Sequence, residues 1–162
     1  MSSPVIIETI DRRELLLGVT ASAAVSAFLA ANAAYGQDAT RPLLPWQEAM
    51  RKVTGDAKPV EGKITIELPP LAENGNTVPF TVAVDNPMTE LDFVKAIHVF
   101  ATANPIPTIA TFRLTPQCGL ATVASRMRLA QTQDVVALAE QSTGRFMMVR
   151  KNVKVTIGGC GG

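Results

Sequence analysis

The chain has few of the residues that build metal, redox or nucleic-acid sites. Its 162 residues include one His, two Cys, one Trp, one Tyr and six Phe, and the formal net charge is +1. A nucleic-acid-binding domain usually carries a basic face or stacking aromatic side chains, so we predict no nucleic-acid partner. One histidine with two cysteines leaves little for a metal site, and we predict no metal and no resident cofactor.

Length and hydropathy set the scale of the fold. A chain of 162 residues has room for one domain with a short appendage. The hydrophobic fraction of 47% excludes global disorder, although part of it lies in the N-terminal segment and should not be counted as core.

The N-terminal segment has the pattern of an export signal. Arg12 and Arg13 precede a run without charged residues at 15–37, which closes on small residues at 31–36. Paired arginines before such a run are typical of the twin-arginine (Tat) route, so we predict that residues 1–36 form a Tat signal peptide. We expect cleavage between Ala33 and Gln37 and release of the remaining chain into the periplasm, without a membrane anchor.

Two other interpretations of this segment stay open. Asp11 stands where the twin-arginine motif usually has Ser or Thr, and Leu15 where it usually has Phe, which leaves the Sec route as an alternative. About 20 apolar residues can also span a bilayer as an uncleaved anchor. Alanine and serine, which dominate this run, contribute little insertion energy, and no basic cluster follows it.

The rest of the chain, residues 37–157, is predicted to be one β-sandwich. Trp46, Met50 and Val53 have helical spacing and Gly55 is a plausible C-cap, so a short helix is expected before the first strand. The period then becomes two, and Gly, Asn and Pro mark the turns. Short strands at this spacing indicate an all-β, immunoglobulin-like sandwich. The predicted strands lie at 63–68, 77–85, 97–100, 110–114, 122–129, 134–140, 145–151 and 153–157.

The C-terminus carries the candidate chemistry. The alternating residues 153–157 run into Gly158-Gly159-Cys160-Gly161-Gly162, which we interpret as a flexible arm with one thiol. Glycines are narrow enough to follow the thiol into a channel of another protein. No base is held beside such a thiol, so it suits a carrier that is loaded and unloaded by other proteins better than a catalyst.

Cys160 has alternative roles. In an oxidising periplasm Cys118 is its default disulfide partner, and an inert thiol on a glycine-rich end is a further alternative. A blue-copper site with His98 and Met147 or Met148 is discarded, because such sites need two histidines. Ubiquitin-like sulfur carriers also end in Gly-Gly, but they are cytoplasmic and contain a crossover helix, which is not expected here.

Several segments together resemble the SoxY family, the sulfur-carrier subunits of the Sox thiosulfate-oxidising system. The most specific is the terminal GGCGG after the strand VKVTI. Further similarity covers most of the mature chain, including ENGNTVPF at 73–80, KAIHVFA at 95–101 and LAQTQDVV at 129–136. A Tat-type leader is shared as well.

The resemblance implies a non-enzymatic carrier and a set of partners. SoxY pairs with SoxZ, which travels through the Tat route as a passenger. Cys160 would be the covalent attachment site, and Gly158, Gly159, Gly161 and Gly162 its arm. Thiosulfate would be attached by the haem protein SoxXA, sulfate released by the hydrolase SoxB, and the remaining sulfur oxidised by SoxCD where it is present. Cys118 departs from the family pattern.

The apolar segments 97–101 and 135–139 bear on the oligomeric state. They indicate more hydrophobic surface than one sheet face hides, which favours a heterodimer. The alternative function is a periplasmic immunoglobulin-like interaction module, whose terminal cysteine is a redox-sensitive dimerisation handle.

Overall fold

A computed structural model describes residues 44–159, which form two β-sheets and one α-helix. The predicted signal peptide, Arg12 and Arg13 included, and Cys160, Gly161 and Gly162 lie outside the described residues. A short 3₁₀ helix at Pro116–Cys118 follows the sixth strand. The main elements are α1 (Pro45–Thr54), β1 (Val60–Glu61), β2 (Ile64–Glu67), β3 (Leu71–Asn74), β4 (Val78–Val84), β5 (Val94–Ala101), β6 (Thr108–Arg113), β7 (Ala121–Met127), β8 (Gln133–Gln141) and β9 (Phe146–Ile157).

The larger sheet has the order β1-β9-β8-β5-β6, and the smaller has the order β2-β4-β7. Strands β9, β8, β5 and β6 pair antiparallel in succession. Two short strands join β9 in parallel at different heights: β1 pairs at Met147 and Met148, and β3 pairs between Lys154 and Ile157. This architecture confirms the predicted sandwich.

The core lies between the two sheets, where the side chains alternate as the period of two requires. In β4, Val78, Phe80, Val82 and Val84 are buried and the residues between them are more exposed. The Phe80 ring packs edge-on against Phe112 of the larger sheet, with centroids 6.3 Å apart. The apolar periodicity of the sequence therefore identifies the inner faces correctly.

The outer face of the larger sheet is covered by the chain's own helix. Helix α1 begins with Pro45, and Gln47 Oε1 accepts a hydrogen bond from Leu44 N at 2.9 Å, which caps the first turn. Its Trp46 packs in a second apolar cluster with Phe100, Val136 and Leu138. The second apolar face of β5 and β8 is therefore hidden by α1, so it gives no support to the expected heterodimer.

The helix is confirmed, and some strand boundaries differ from the prediction. The helix ends as expected, with Gly55 at φ 61° and its amide bonded to Arg51 O at 2.8 Å. The two predicted strands at 145–151 and 153–157 are one strand of twelve residues, β9. Within it Val153 is fully buried, whereas Ile157 at its end is 67% exposed.

Candidate functional site at the base of the C-terminal arm

The last residues of β9 leave the main sheet and run between two other segments. Pairing with β8 ends at Val153, which lies opposite Gln133. Beyond this point Lys154 N donates to Pro70 O at 3.0 Å on one side. On the other side Val155 N donates to Thr132 Oγ1 at 3.0 Å. The strand that carries the C-terminal glycines is thus held by β3 and by the loop at 128–132.

Three backbone hydrogen bonds continue this arrangement to Gly159. Gly75 N donates to Ile157 O at 2.7 Å, Leu129 N donates to Gly75 O at 2.8 Å, and Gly159 N donates to Leu129 O at 2.9 Å. Gly75 and Gly159 are both buried. We call this set of Gly75, Leu129 and Gly159 the arm seat.

Glycine is required in the arm seat because the backbones approach too closely for a side chain. A Cβ on Gly159 would lie 2.7 Å from Gly75 O, and a Cβ on Gly75 would lie 2.7 Å from Gly159 N and would also meet Leu129 O. A Cβ on Gly158 would overlap Ala130 O. Contacts below 3.0 Å would force the backbone to move. Steric contact therefore requires glycine at these positions.

A buried polar pair supports the loop that receives Gly159. Asn104 Nδ2 donates to Arg128 O at 2.9 Å, and Asn104 Oδ1 accepts from Ala130 N at 3.0 Å. Gln133 Nε2 donates to the same Oδ1 at 2.7 Å, and Gln133 Oε1 accepts from Ala103 N at 2.7 Å. Asn104 therefore bonds to the residues on either side of Leu129, whose carbonyl accepts from Gly159. Fully satisfied buried networks of this kind hold a loop in one conformation.

The structure places part of the predicted site at this seat. Gly158 and Gly159, which the sequence assigns to a free arm, pack against the sandwich. The other site residues, Cys160, Gly161 and Gly162, lie outside the described residues. Cys118 is exposed in the 3₁₀ turn between β6 and β7 and has no disulfide partner within residues 44–159.

His98 lies on the outer face of the larger sheet, outside any group of metal-ligating side chains among the described residues. It is 8% exposed, its Nδ1 is 3.0 Å from Thr111 Oγ1, and its ring stacks on Phe100. Burial lowers the pKa of His98; the Glu140 carboxylate opposes this effect and Arg113 adds to it. Met147 belongs to the inner core and Met148 to the outer cluster. Between residues 44 and 159 no group of three or more His, Cys, Asp or Glu side chains is arranged to hold a metal ion.

The comparison with protein families decides the relationship. The family described as "Sulfur oxidation protein SoxY" matches residues 50–160. The chain belongs to the SoxY family. A solved structure, the sulfur carrier protein SoxY from Chlorobium limicola f thiosulfatophilum, is 33% identical, with a TM-score of 0.58 over 68% of this chain and 96% of that one. No curated protein matches the sequence at a significant level.

More distant solved structures share the fold alone. A superoxide reductase (neelaredoxin) from Ignicoccus hospitalis is 16% identical, with a TM-score of 0.52 over 64% of this chain and 85% of that one. A putative superoxide reductase from Thermotoga maritima is 18% identical, with a TM-score of 0.51 over 61% of this chain and 93% of that one. At these identities the likeness shows a shared sandwich fold and carries no information about chemistry.

The sequence does not predict the arm seat, although it shows turn-type residues in two of the segments that form or support it. The residue types at 73–76 indicate only a turn, whereas Leu71–Asn74 is a strand that pairs with β9 and leads into Gly75. Asn104 likewise has the residue type of a turn. Its side chain bridges residues 24 and 26 positions away, a separation that turn propensities do not reveal.

Proposed function

We propose that this SoxY-family chain is a covalent sulfur carrier in thiosulfate oxidation and that Cys160 is the attachment site. Membership of the family and the 33% identity to a SoxY sulfur carrier support the proposal. The observation that carries it is the arm seat, because its backbone hydrogen bonds hold Gly159, the residue bonded to Cys160. The thiol is thereby attached to a fixed point of the fold.

The proposed chemistry takes place on the sulfur of Cys160. Loading joins the thiol to the outer sulfur of thiosulfate, giving Cys–S–S–SO₃⁻, one proton and two electrons, which SoxXA accepts through its haem. Hydrolysis by SoxB uses one water, releases sulfate and a proton, and leaves a persulfide, Cys–S–SH. SoxCD, where present, would oxidise that remaining sulfur.

Catalysis in this scheme belongs to the partner enzymes. The bonds that hold Gly159 are made by backbone groups, which fix the arm but supply neither an acid nor a base. The carrier's contribution is therefore position and presentation. This division of roles agrees with a non-enzymatic function for the chain.

We further propose that the chain works in the periplasm as a heterodimer with SoxZ, after export by the twin-arginine route. Since α1 covers the outer face of the larger sheet, we assign the contact with SoxZ to the edges of the sandwich. Strands β6 and β7 each pair on one side only within the described residues. Half-buried apolar side chains lie at these edges, and an unpaired edge strand readily accepts another chain. They are Ile109, Phe112, Leu114 and Val123.

Intact mass after incubation with thiosulfate and SoxXA tests the carrier function. The wild-type protein and Cys118→Ser should gain the mass of one thiosulfate group on the C-terminal peptide, and Cys160→Ser should gain none. Loading of Cys160→Ser would refute the assignment. Disulfide-linked dimers without any sulfur adduct would instead support the redox dimerisation handle.

A further inference from the structure

We propose that the arm seat is a latch that holds the base of the carrier arm, and that Gly75 is a positioning residue for delivery of Cys160. The inference rests on the proposed function of Cys160. It assigns a role to a residue that lies 84 positions before Gly159 along the chain.

The bonding pattern shows why Gly75 is central. Its N–H donates to Ile157 O at 2.7 Å and its carbonyl accepts from Leu129 N at 2.8 Å, so this one residue joins the end of β9 to the receiving loop. Leu129 returns the connection by accepting from Gly159 N at 2.9 Å. These hydrogen bonds link the three segments, and a side chain at Gly75 would collide with Leu129 O and Gly159 N, the two atoms of the bond that holds Gly159.

The latch sets the length of arm that is available to a partner. With Gly159 held, the thiol of Cys160 is one residue beyond the attachment point, which is at most about 3.6 Å of extended backbone. Release of Gly158 and Gly159 adds two residues, or about 7 Å. Entry of the thiol into a recessed active site of a partner therefore requires the latch to open.

Gly75 also gives an unusually direct test, because alanine there changes contacts and not conformational strain. Gly75 does not occupy the left-handed region, so its backbone suits any L-residue, but the added Cβ would meet Leu129 O, Gly159 N and Val155 Cγ1. The matched control is Gly119→Ala. Gly119 has φ +71°, and a Cβ added there would have no atom within 4 Å, so that variant introduces strain without contact.

The first experiment is amide hydrogen exchange at Gly159 and does not depend on sulfur chemistry. In the full-length wild-type protein we expect exchange to be slowed at least about tenfold relative to an unstructured peptide, as for a bonded amide. Gly75→Ala should remove about tenfold of this protection, which corresponds to the loss of one backbone bond, and Gly119→Ala should not. An unprotected Gly159 amide in the wild type would overturn the proposal, even if Gly75→Ala failed to fold.

The second experiment separates positioning from a structural role. Hydrolysis of the loaded carrier by SoxB is followed as a function of carrier concentration. Because the latch opens before the thiol enters the enzyme, Gly75→Ala should lower the KM by up to about tenfold and leave kcat unchanged, since a larger fraction of the carrier is already open. An unchanged or raised KM in a folded variant that has lost protection at Gly159 would contradict the latch. Failure of the carrier function itself would appear differently, as absence of loading on wild-type Cys160.

Discussion

The guanidinium carbon of Arg150 lies 5.5 Å from the ring centroid of Trp46. This contact joins the last strand to the helix that covers the larger sheet. Arg150 Nε also donates to Asp134 Oδ2 at 2.7 Å, and Asn152 Nδ2 donates to Asp134 Oδ1 at 2.6 Å. The hydrogen bond from Asn152 has the largest effect on the pKa of Asp134 and lowers it. Burial opposes this effect, and Arg150 adds to the lowering of the pKa. The residues therefore tie α1, β8 and β9 together on the outer face.

Truncation of Trp46 should test whether α1 is an essential cover. Trp46 is 6% exposed and packs on Phe100, Val136 and Leu138, so Trp46→Ala should lower the free energy of unfolding by about 3–5 kcal/mol. The loss should be measured by urea denaturation monitored by circular dichroism. Leu91→Ala is the control, because Leu91 is 90% exposed and its removal should change stability little. Equal effects of the two substitutions would contradict the packing of the helix on the sheet.

The buried histidine should make stability depend on pH below neutrality. The ordinary pKa of His98 is 6.5 and burial lowers it, so the unfolded chain binds the proton first as the pH falls. The free energy of unfolding should therefore decrease as the pH falls from about 6.5 through the lower pKa of the folded state. His98→Gln, which keeps a neutral polar side chain beside Thr111, should remove this part of the pH dependence.

Urea denaturation of the wild type and His98→Gln at several pH values, from about 5 to about 7.5, would measure the effect around the ordinary histidine pKa. Any pH dependence that the two proteins share cancels in the difference between their profiles. Identical pH profiles would show that His98 is not the group responsible.

The sequence predicts the sandwich well because its apolar periodicity reflects burial between two sheets. It does not predict which segment packs on the outer face of the larger sheet. An apolar run such as 135–139 shows that both faces are buried, but not whether a helix of the same chain or another protein covers the second face. The same limit applies at the arm, where Leu129 and Gly75 meet Gly159 through backbone atoms. Backbone contacts between distant segments leave no periodic pattern in the side chains.

Export by the twin-arginine route remains a prediction, and it has a simple test. Replacing Arg12 and Arg13 by Lys keeps the charge but should prevent recognition by the Tat machinery, so that the precursor accumulates inside the cell. Immunoblots of cytoplasmic and periplasmic fractions would show the change. N-terminal sequencing of the periplasmic wild-type protein should give a start between Ala33 and Gln37. Normal export of the lysine variant would favour the Sec route.

Two single substitutions in the arm should distinguish bulk that also prevents seating from bulk that only widens the arm. Gly159→Val places a branched side chain where even a Cβ would lie 2.7 Å from Gly75 O, so it should abolish seating as well as obstruct entry into a partner. Gly161→Val lies beyond the seat and should affect entry alone. Insertion of two glycines between Gly159 and Cys160 adds slack without bulk and should be tolerated best, because the entropy of a loop grows slowly with its length.

Two measurements on the same three proteins distinguish these cases. They are hydrogen exchange at the amide of residue 159 and thiosulfate-dependent release of sulfate. We expect Gly159→Val to lose amide protection and turnover together, Gly161→Val to lose turnover while protection stays, and the two-glycine insertion to keep both. Full turnover in Gly159→Val and Gly161→Val would show that a narrow arm is not needed. Loss of turnover in the insertion alone would instead mean that the distance from Gly159 to the thiol is fixed by the partner enzymes, because the seat and the side chains of the arm are unchanged in that protein.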